Sequence, residues 1–354
     1  MSARVHLIPS LAILCAFSSA QALEAPVAAA AFDEPPQPAE VTDAAKHSIQ
    51  KGLDWLVKQQ NPDGSWGCWK ADRPSVSVTS IACLALMSMG DTPNRGKYSE
   101  QINKAVTWLL KLSEQRRGEM IGDENKTGLG PTFAHGMGTL FLAEVYGMTQ
   151  REDVKEKLER AVKWICERQN PDGGWGDGGN SDLPITATMY MALRSSRGAG
   201  IEVPSKPFEK FEKYVLSCQN EDGGFSQFQN QHGRSMLYPS TAGLRLLYGL
   251  GKAGTKECDA ATQFVLKRGL GEDYGNRISE WCFLGSFYVD SALMIENGPA
   301  WKAYFPKTRD YLVKIQNADG SWTIQYCSEC RAFASALAVC TLAAPYRALP
   351  VYQL

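Results

Sequence analysis

A segment of about fifty residues recurs along this chain, and a repeat of that length limits the fold to units that stack on one another. Each clear copy is an amphipathic stretch that ends in Gln-Asn-x-Asp-Gly-x-aromatic. The four clear copies cover 52–67, 161–176, 211–226 and 308–323. Weaker copies surround Trp108 and Phe264, so the sequence predicts six units.

Each unit contains a second stretch after the Asp-Gly turn, and its character differs from the first. The first stretches carry charged side chains on one face, as in 155–160, which is typical of an outer helix. The second stretches are apolar nearly all round, which is typical of helices covered on both sides. These second stretches are 78–90, 135–147, 185–195, 238–251, 283–294 and 332–343.

The sixth unit is as apolar as the others, whereas an open solenoid needs polar capping units at its ends. We therefore predict an all-α fold over residues 44–354: a closed (α/α)6 toroid in which six outer-helix/inner-helix repeats surround a central cavity. Asp-Gly suits the tight turn between the two helices. The turn aspartates Asp63, Asp172, Asp222 and Asp319 are therefore interpreted as structural and not as catalytic acids.

The first 22 residues have the pattern of a secretory signal peptide: basic Arg4, an apolar stretch over 7–17 and an Ala-Gln-Ala site ending at Ala22. Residues 23–43 are rich in Ala, Pro and Glu, and this composition predicts a flexible linker. We therefore expect export by the Sec pathway to the periplasm or beyond. No apolar run is long enough for a transmembrane segment, and the balance of 37 basic against 38 acidic residues argues against nucleic-acid binding.

The turn motifs at Gln60–Trp66, Gln169–Trp175 and Gln316–Trp322 resemble the QW repeat of squalene and oxidosqualene cyclases, and the Gln219 copy has Phe225 in place of Trp. The resemblance extends to the β subunits of protein prenyltransferases, which share the toroid. Within that superfamily the chain is most similar to exported bacterial squalene-cyclase-like proteins, through residues 134–147 and 344–353.

The sequence lacks key residues for the chemistry that this resemblance would imply. Class II terpene cyclases use Asp-x-Asp-Asp to protonate an alkene, and at the matching place this chain has Asp182-Leu183-Pro184-Ile185, with only the first Asp kept. Prenyltransferases bind zinc through Asp-x-Cys and a distant His, and this chain has no Asp-x-Cys. No cofactor is therefore expected, and the sequence leaves open whether the protein is an enzyme.

Polar and aromatic residues gather where the turns lead into the inner helices, and they predict a cavity with aromatic walls and a polar rim. An apolar small molecule or a peptide would fit such a cavity. The alternative is that the aromatic side chains simply fill it. The candidate ligand-binding residues are His135, Asp182, Tyr190, His232, Tyr238, Trp281, Phe287, Tyr288 and Glu329.

Three sets of residues could carry further chemistry. His135, Asp182 and Glu280 are weak catalytic candidates, although His135 fits a structural role better. Glu144 and Asp290 lie in apolar helices, where pairing with Arg245 would offset the cost of burial. The weak metal candidates Cys68, Cys282, Cys327 and Cys330 could instead form disulfides or remain free thiols.

Three functions remain open from the sequence. The favoured one is an exported module that binds an apolar, isoprenoid-like ligand or a partner in its cavity. The alternatives are a diverged terpene cyclase or transferase acting on an isoprenoid, and a structural envelope protein with a filled cavity.

Overall fold

The computed structural model describes residues 35–67, 73–115, 119–120, 130–229, 231, 233–268, 280–323 and 330–353, and only the backbone of 280–282. The predicted signal peptide lies outside these residues, as does most of the predicted linker. None of the described helices is long and apolar enough to span a membrane.

Twelve α-helices in the described residues alternate between two layers, as the repeat predicts. The outer helices are α1 (Asp43–Lys58), α3 (Ser99–Gln115), α5 (Glu152–Glu167), α7 (Lys206–Ser217), α9 (Lys256–Arg268) and α11 (Pro299–Ile315). The inner helices are α2 (Val76–Met87), α4 (Pro131–Thr149), α6 (Leu183–Gly198), α8 (Leu237–Gly249), α10 (Glu280–Glu296) and α12 (Arg331–Ala343). A two-residue antiparallel pair, β1 (Trp66–Gly67) with β2 (Pro74–Ser75), precedes α2.

The inner helices form a closed ring. Each one packs against the next in the order α2, α4, α6, α8, α10, α12, and α12 packs back against α2. Every side chain of α2 and α12 other than Arg331 is buried, which explains why these helices are apolar on all faces. The predicted closed toroid is confirmed.

The glutamine of each turn motif donates hydrogen bonds both to its own turn and to the next outer helix. Gln60 Nε2 donates to Gly64 O and to Gln101 O in α3, both at 2.9 Å. In the last unit, Gln316 Nε2 donates to Gly320 O and to Ser48 O in α1, also at 2.9 Å. One repeated interaction therefore links neighbouring units and also closes the ring between the sixth unit and the first.

The aromatic residue of the motif packs beneath the turn. Trp66, Trp175 and Trp322 each donate their indole N–H to a carbonyl of the preceding outer helix at 2.8 Å. The aspartates accept a backbone N–H two residues later, as Asp63 does from Ser65 at 3.0 Å. The structural interpretation of these turn residues is confirmed.

The turn glycine is required for two reasons. Gly223 has φ +84°, and a Cβ at this position would lie 2.6 Å from Ala260 O of α9. Gly64, Gly173 and Gly320 meet carbonyl oxygens of α3, α7 and α1 in the same way. The glycine therefore permits both the left-handed backbone and the close approach of the next outer helix.

The last residues of the chain cover one end of the ring. Two short 3-10 turns, Ala344–Tyr346 and Pro350–Tyr352, follow α12 and contact α4, α6 and α10. We call residues 344–353 the C-terminal stopper. It covers the end of the bore at which the inner helices finish, and we call the opposite end, where they begin, the mouth.

Candidate functional site

His135 faces the outer layer and not the bore, which corrects its assignment as a ligand-binding or catalytic residue. Its Nδ1 accepts from the Met120 N–H and its Nε2–H donates to Ala161 O of α5, both at 3.1 Å. The imidazole stacks on Trp164 with 4.0 Å between ring centroids. Complete burial lowers the pKa of His135 to about 4. The ring is therefore neutral and fully engaged, as a structural histidine is.

Tyr190 also faces the outer layer. Its ring packs against Phe208 and Phe211 of α7, at centroid distances of 5.8 and 5.0 Å, and its hydroxyl donates to Gly249 O. These contacts place Tyr190 in the interface between the inner and outer helices. Its assignment to the cavity wall is therefore corrected as well.

Asp182 lies at the mouth, where it caps the first turn of α6. Its Oδ1 accepts from the Ile185 N–H at 3.0 Å, and its Oδ2 accepts from Gln227 Nε2 at 2.5 Å. Burial raises the pKa of the Asp182 carboxyl above its ordinary value, while these two donors act in the opposite direction. Both oxygens thus hold the chain in place, and a proton on either would disrupt one of these contacts.

Tyr288 crosses the bore. It extends from α10 to α6, which are separated in the ring by α8, and its hydroxyl lies 2.7 Å from Thr188 Oγ1 and donates to Pro184 O at 3.1 Å. Tyr238 of α8 stacks on it, with ring planes 17° apart. Tyr288 is fully buried and Tyr238 is 8% exposed. The bore is therefore bridged by protein at this level, and the predicted deep cavity is interrupted.

Below this bridge, the C-terminal stopper fills the end of the bore. Tyr352 is 1% exposed, donates to Cys340 O at 3.2 Å and packs edge-on against Phe287. The Val351 N–H donates to Glu144 Oε2 at 3.2 Å. Phe287 thus contacts Tyr352 of the same chain, which leaves Tyr238 and Tyr288 as the aromatic candidates for the bore among the side chains that the structure describes.

The predicted pairing of Glu144 or Asp290 with Arg245 is wrong. Glu144 accepts from Ser195 Oγ at 2.8 Å and from the stopper, and burial raises its pKa to about 7. Asp290 is fully buried beside Thr341, and burial raises its pKa well above the ordinary value. Arg245 instead lies over the Tyr190 ring at 5.8 Å.

Of the four candidate metal ligands, only the side chain of Cys330 is described, and it forms a disulfide. Its sulfur is therefore not available to a metal ion, and the disulfide alternative applies to this residue. Cys68, Cys327 and the side chain of Cys282 lie outside the described residues, and the other cysteines that the structure describes are free thiols. In the described part of the chain, no three His, Cys, Asp or Glu side chains group as metal ligands.

The other predicted rim residues, His232, Glu329 and the side chains of Glu280 and Trp281, also lie outside the described residues and remain predictions. The described part of the rim has two open pockets beside the loop 176–181. One of about 580 Å³ is lined by Thr132, Trp164 and Arg168, among others. The other, of about 810 Å³, includes Asn180 and Phe228.

Sequence reasoning missed a hydroxyl that supports each turn. The N–H of Trp66 donates to Thr79 Oγ1 at 2.9 Å, and Phe225 donates likewise to Ser240 Oγ at 2.8 Å. Thr186 and Ser335 accept the corresponding N–H of Trp175 and Trp322 in the other two motifs. A Ser or Thr in the first turns of an inner helix, 11 to 15 residues after the aromatic residue, was the available signal.

Comparison with known proteins agrees with this geometry. Residues 37–183 and 99–277 match the family described as Prenyltransferase alpha-alpha toroid domain. A drimenyl diphosphate synthase from Streptomyces showdoensis is 23% identical over 60% of this chain and 38% of its own length. A squalene–hopene cyclase from Bradyrhizobium diazoefficiens is 24% identical over 54% of this chain and 34% of its own. The chain thus spans little more than a third of either relative.

The fold also matches a solved structure. A variant of the type II terpene cyclase MstE from Scytonema, in complex with its substrate geranylgeranyl dihydroxybenzoate, superposes with a TM-score of 0.59. The match covers 87% of this chain and 98% of that one at 15% identity. At this identity the likeness concerns the fold alone.

Proposed function

Because the chain belongs to the prenyltransferase α/α toroid family, we propose that it binds an apolar, isoprenoid-like ligand at the mouth of the bore and does not cyclise it. The stacked pair of Tyr238 and Tyr288 is the observation that carries this proposal. It forms an aromatic floor within the ring, and aromatic surfaces of this kind suit apolar ligands.

The first turn of α6 supports binding without cyclisation. Protonation of an alkene needs a strong acid that is free to donate its proton at the substrate. Pro184 occupies the place of the cyclase acid, and its carbonyl accepts from Tyr288. Asp182, the one carboxyl that remains, has both oxygens engaged by donors of the protein itself.

The same proposal includes export. The disulfide of Cys330 supports it, because structural disulfides persist in oxidising compartments and are rare in the cytosol. Fractionation of expressing cells tests this part directly. The mature protein is expected outside the cytoplasm with an N-terminus after Ala22, and an unprocessed cytoplasmic protein would contradict it.

Binding is tested with the purified full chain and radiolabelled geranylgeraniol. Tyr238→Ser removes half of the aromatic floor and is expected to weaken binding at least tenfold. Tyr248→Ser is the matched control, because Tyr248 is on the same helix and equally exposed at 8%, but bonds Glu296 instead. Equal affinities in the two variants, or no binding by the unaltered protein, would contradict the proposal and favour a structural protein with a filled bore.

Product analysis distinguishes a binder from a diverged enzyme. After incubation with squalene or geranylgeranyl diphosphate, the proposal expects the added compound to be recovered unchanged. Asp182→Asn serves as the second arm, because asparagine can replace aspartate as a helix cap. Turnover that this substitution abolishes would identify an enzyme and contradict the non-cyclising function.

A further inference from the structure

Arg245 is a buried charge whose hydrogen-bonding capacity is largely unused. The side chain is 1% exposed, and its Nε and Nη1 donate no hydrogen bond. Burial lowers the pKa of Arg245 to about 10, so the guanidinium still carries its charge at neutral pH. Buried charges in folded proteins are ordinarily paired, because an unpaired one loses its hydration without compensation.

The two helices that hold Arg245 are rich in positive charge. Helices α6 and α8 together carry Arg194, Arg197 and Arg245 and no Asp or Glu. The charge of Arg194 acts on Arg245 and contributes to lowering its pKa. Neither helix therefore carries an acidic residue that could balance this positive charge.

Arg197 is accounted for by its own contacts. It donates to Val203 O at 2.9 Å and stacks on the Phe208 ring at 4.3 Å. The neighbouring Tyr190 donates its hydroxyl to Gly249 O and therefore offers Arg245 only the face of its ring. The N–H donors without a partner therefore belong to Arg245, and Arg194 supplies a second positive charge near it.

Several acidic residues of the helices packed around α6 and α8 have partners of their own. On α7, Glu209 accepts from Ser205 and Glu212 pairs with Lys252 at 2.6 Å. On α4, Glu144 accepts from Ser195 and the stopper. Burial raises the pKa of Asp290 of α10 well above its ordinary value, which disfavours its charged form. No carboxylate among these residues supplies the missing partner.

We propose that Arg245, assisted by Arg194, binds an oxyanion between α6 and α8, in the form of a carboxylate or a phosphate group. The planar guanidinium presents parallel N–H donors that match two oxygens of either group. Arg245 lies about two helical turns from Tyr238 along α8, and the proposal does not depend on an isoprenoid binding at the Tyr238–Tyr288 floor.

The test is thermal unfolding of the purified full chain, titrated with inorganic phosphate or with octanoate and with sodium chloride holding the ionic strength constant. A saturable rise in Tm is expected for one of these probes, since a ligand that binds only the folded state stabilises it. A response to phosphate identifies a phosphate site. A response to octanoate alone identifies a carboxylate with an apolar tail.

Arg245→Met separates ligand binding from a structural role, because it keeps similar bulk and removes the charge. It is expected to abolish the response while remaining at least as stable as the unaltered protein in anion-free buffer. Arg194→Met, at a partly exposed position, should weaken the apparent affinity several-fold and provides a second test if Arg245→Met does not fold. Arg160→Met is the control, since Arg160 lies on the surface of α5 and pairs with Glu156.

Two results would overturn this proposal. One is a chain that shows no saturable response to either probe. The other is a response that persists unchanged in Arg245→Met or, should that variant not fold, in Arg194→Met.

Discussion

Glu144 is a carboxyl group that a neighbouring inner helix and the stopper together hold away from water. It lies on an inner helix, bonds the neighbouring inner helix through Ser195 and bonds the stopper through the Val351 N–H. Burial raises the pKa of the Glu144 carboxyl from its ordinary value of 4.5 to about 7. The folded state therefore holds a proton that the unfolded chain releases at lower pH.

This pKa shift predicts a loss of stability as the pH rises. A raised folded-state pKa gives a contribution that is fully present below about pH 4.5 and lost as the pH rises through about 7. At about 1.36 kcal/mol per unit, the contribution of Glu144 is about 3 kcal/mol. Glu144→Gln keeps the acceptor for Val351 and removes the titration.

Urea unfolding between pH 5 and 8 checks this prediction. The unaltered protein should lose more stability than Glu144→Gln over this range, by about the amount above. Glu156→Gln, an exposed substitution on an outer helix, is the control and should follow the unaltered protein. Identical pH dependence in all three proteins would contradict the burial of a protonated Glu144.

His135 and Tyr190 mark the limit of what the sequence could predict about single residues. Both lie on inner helices that are apolar all round, so the pattern of residues does not show which side faces the bore. The direction of each side chain is decided by partners far away in sequence, Ala161 for His135 and Gly249 for Tyr190. Membership of an inner helix was predictable, but its rotational orientation was not.

At the scale of elements, the turn glycine meets two requirements that can be tested separately: a left-handed backbone and the close approach of the next outer helix. Gly223 and Gly251 both have positive φ, +84° and +71°, but a Cβ would meet a carbonyl oxygen only at Gly223. We expect Gly251→Ala to cost about 1–2 kcal/mol for the left-handed backbone alone. Gly223→Ala should cost more, because α9 must also move away. Equal losses in chemical denaturation would show that the turn does not constrain the next outer helix.

The stopper is the element that the repeat could not predict, because it occurs once and follows the last unit. Tyr352→Ala would leave a cavity beside Phe287 and is expected to cost about 3–5 kcal/mol, as other buried aromatic truncations do. Tyr352→Phe removes only the bond to Cys340 O, which should cost about 1 kcal/mol. Urea unfolding measures both, and a negligible loss for Tyr352→Ala would contradict the docking of this segment.

For the whole molecule, ring closure predicts how stability is distributed. An open solenoid frays from its terminal units, whereas a closed ring has no free end. Because Gln316 ties the last turn to α1 and Gly52 lies against Trp322, amide exchange in α1 and α12 should be as slow as in α6. Hydrogen exchange with mass spectrometry measures this, and faster exchange in α1 and α12 would indicate an open end.

The repeat predicted this architecture because each unit uses the same local chemistry. The spacing of Gln, Asp-Gly and the aromatic residue is set within one turn and can therefore be identified in the sequence. The bridge across the bore could not be identified in the sequence, because Tyr288 contacts Thr188 and Pro184, which lie about a hundred residues away along the chain. The sequence therefore indicated a hollow ring, and in the structure Tyr288 connects α10 to α6 across it.

A crystal structure of the protein with geranylgeraniol would test the central claim most directly. We predict unchanged ligand at the mouth, in contact with Tyr238, with the Tyr288 hydroxyl still bonded to Thr188 across the bore. Ligand density below Tyr288, between it and Tyr352, would contradict the claim, as would a bore that excludes the ligand altogether.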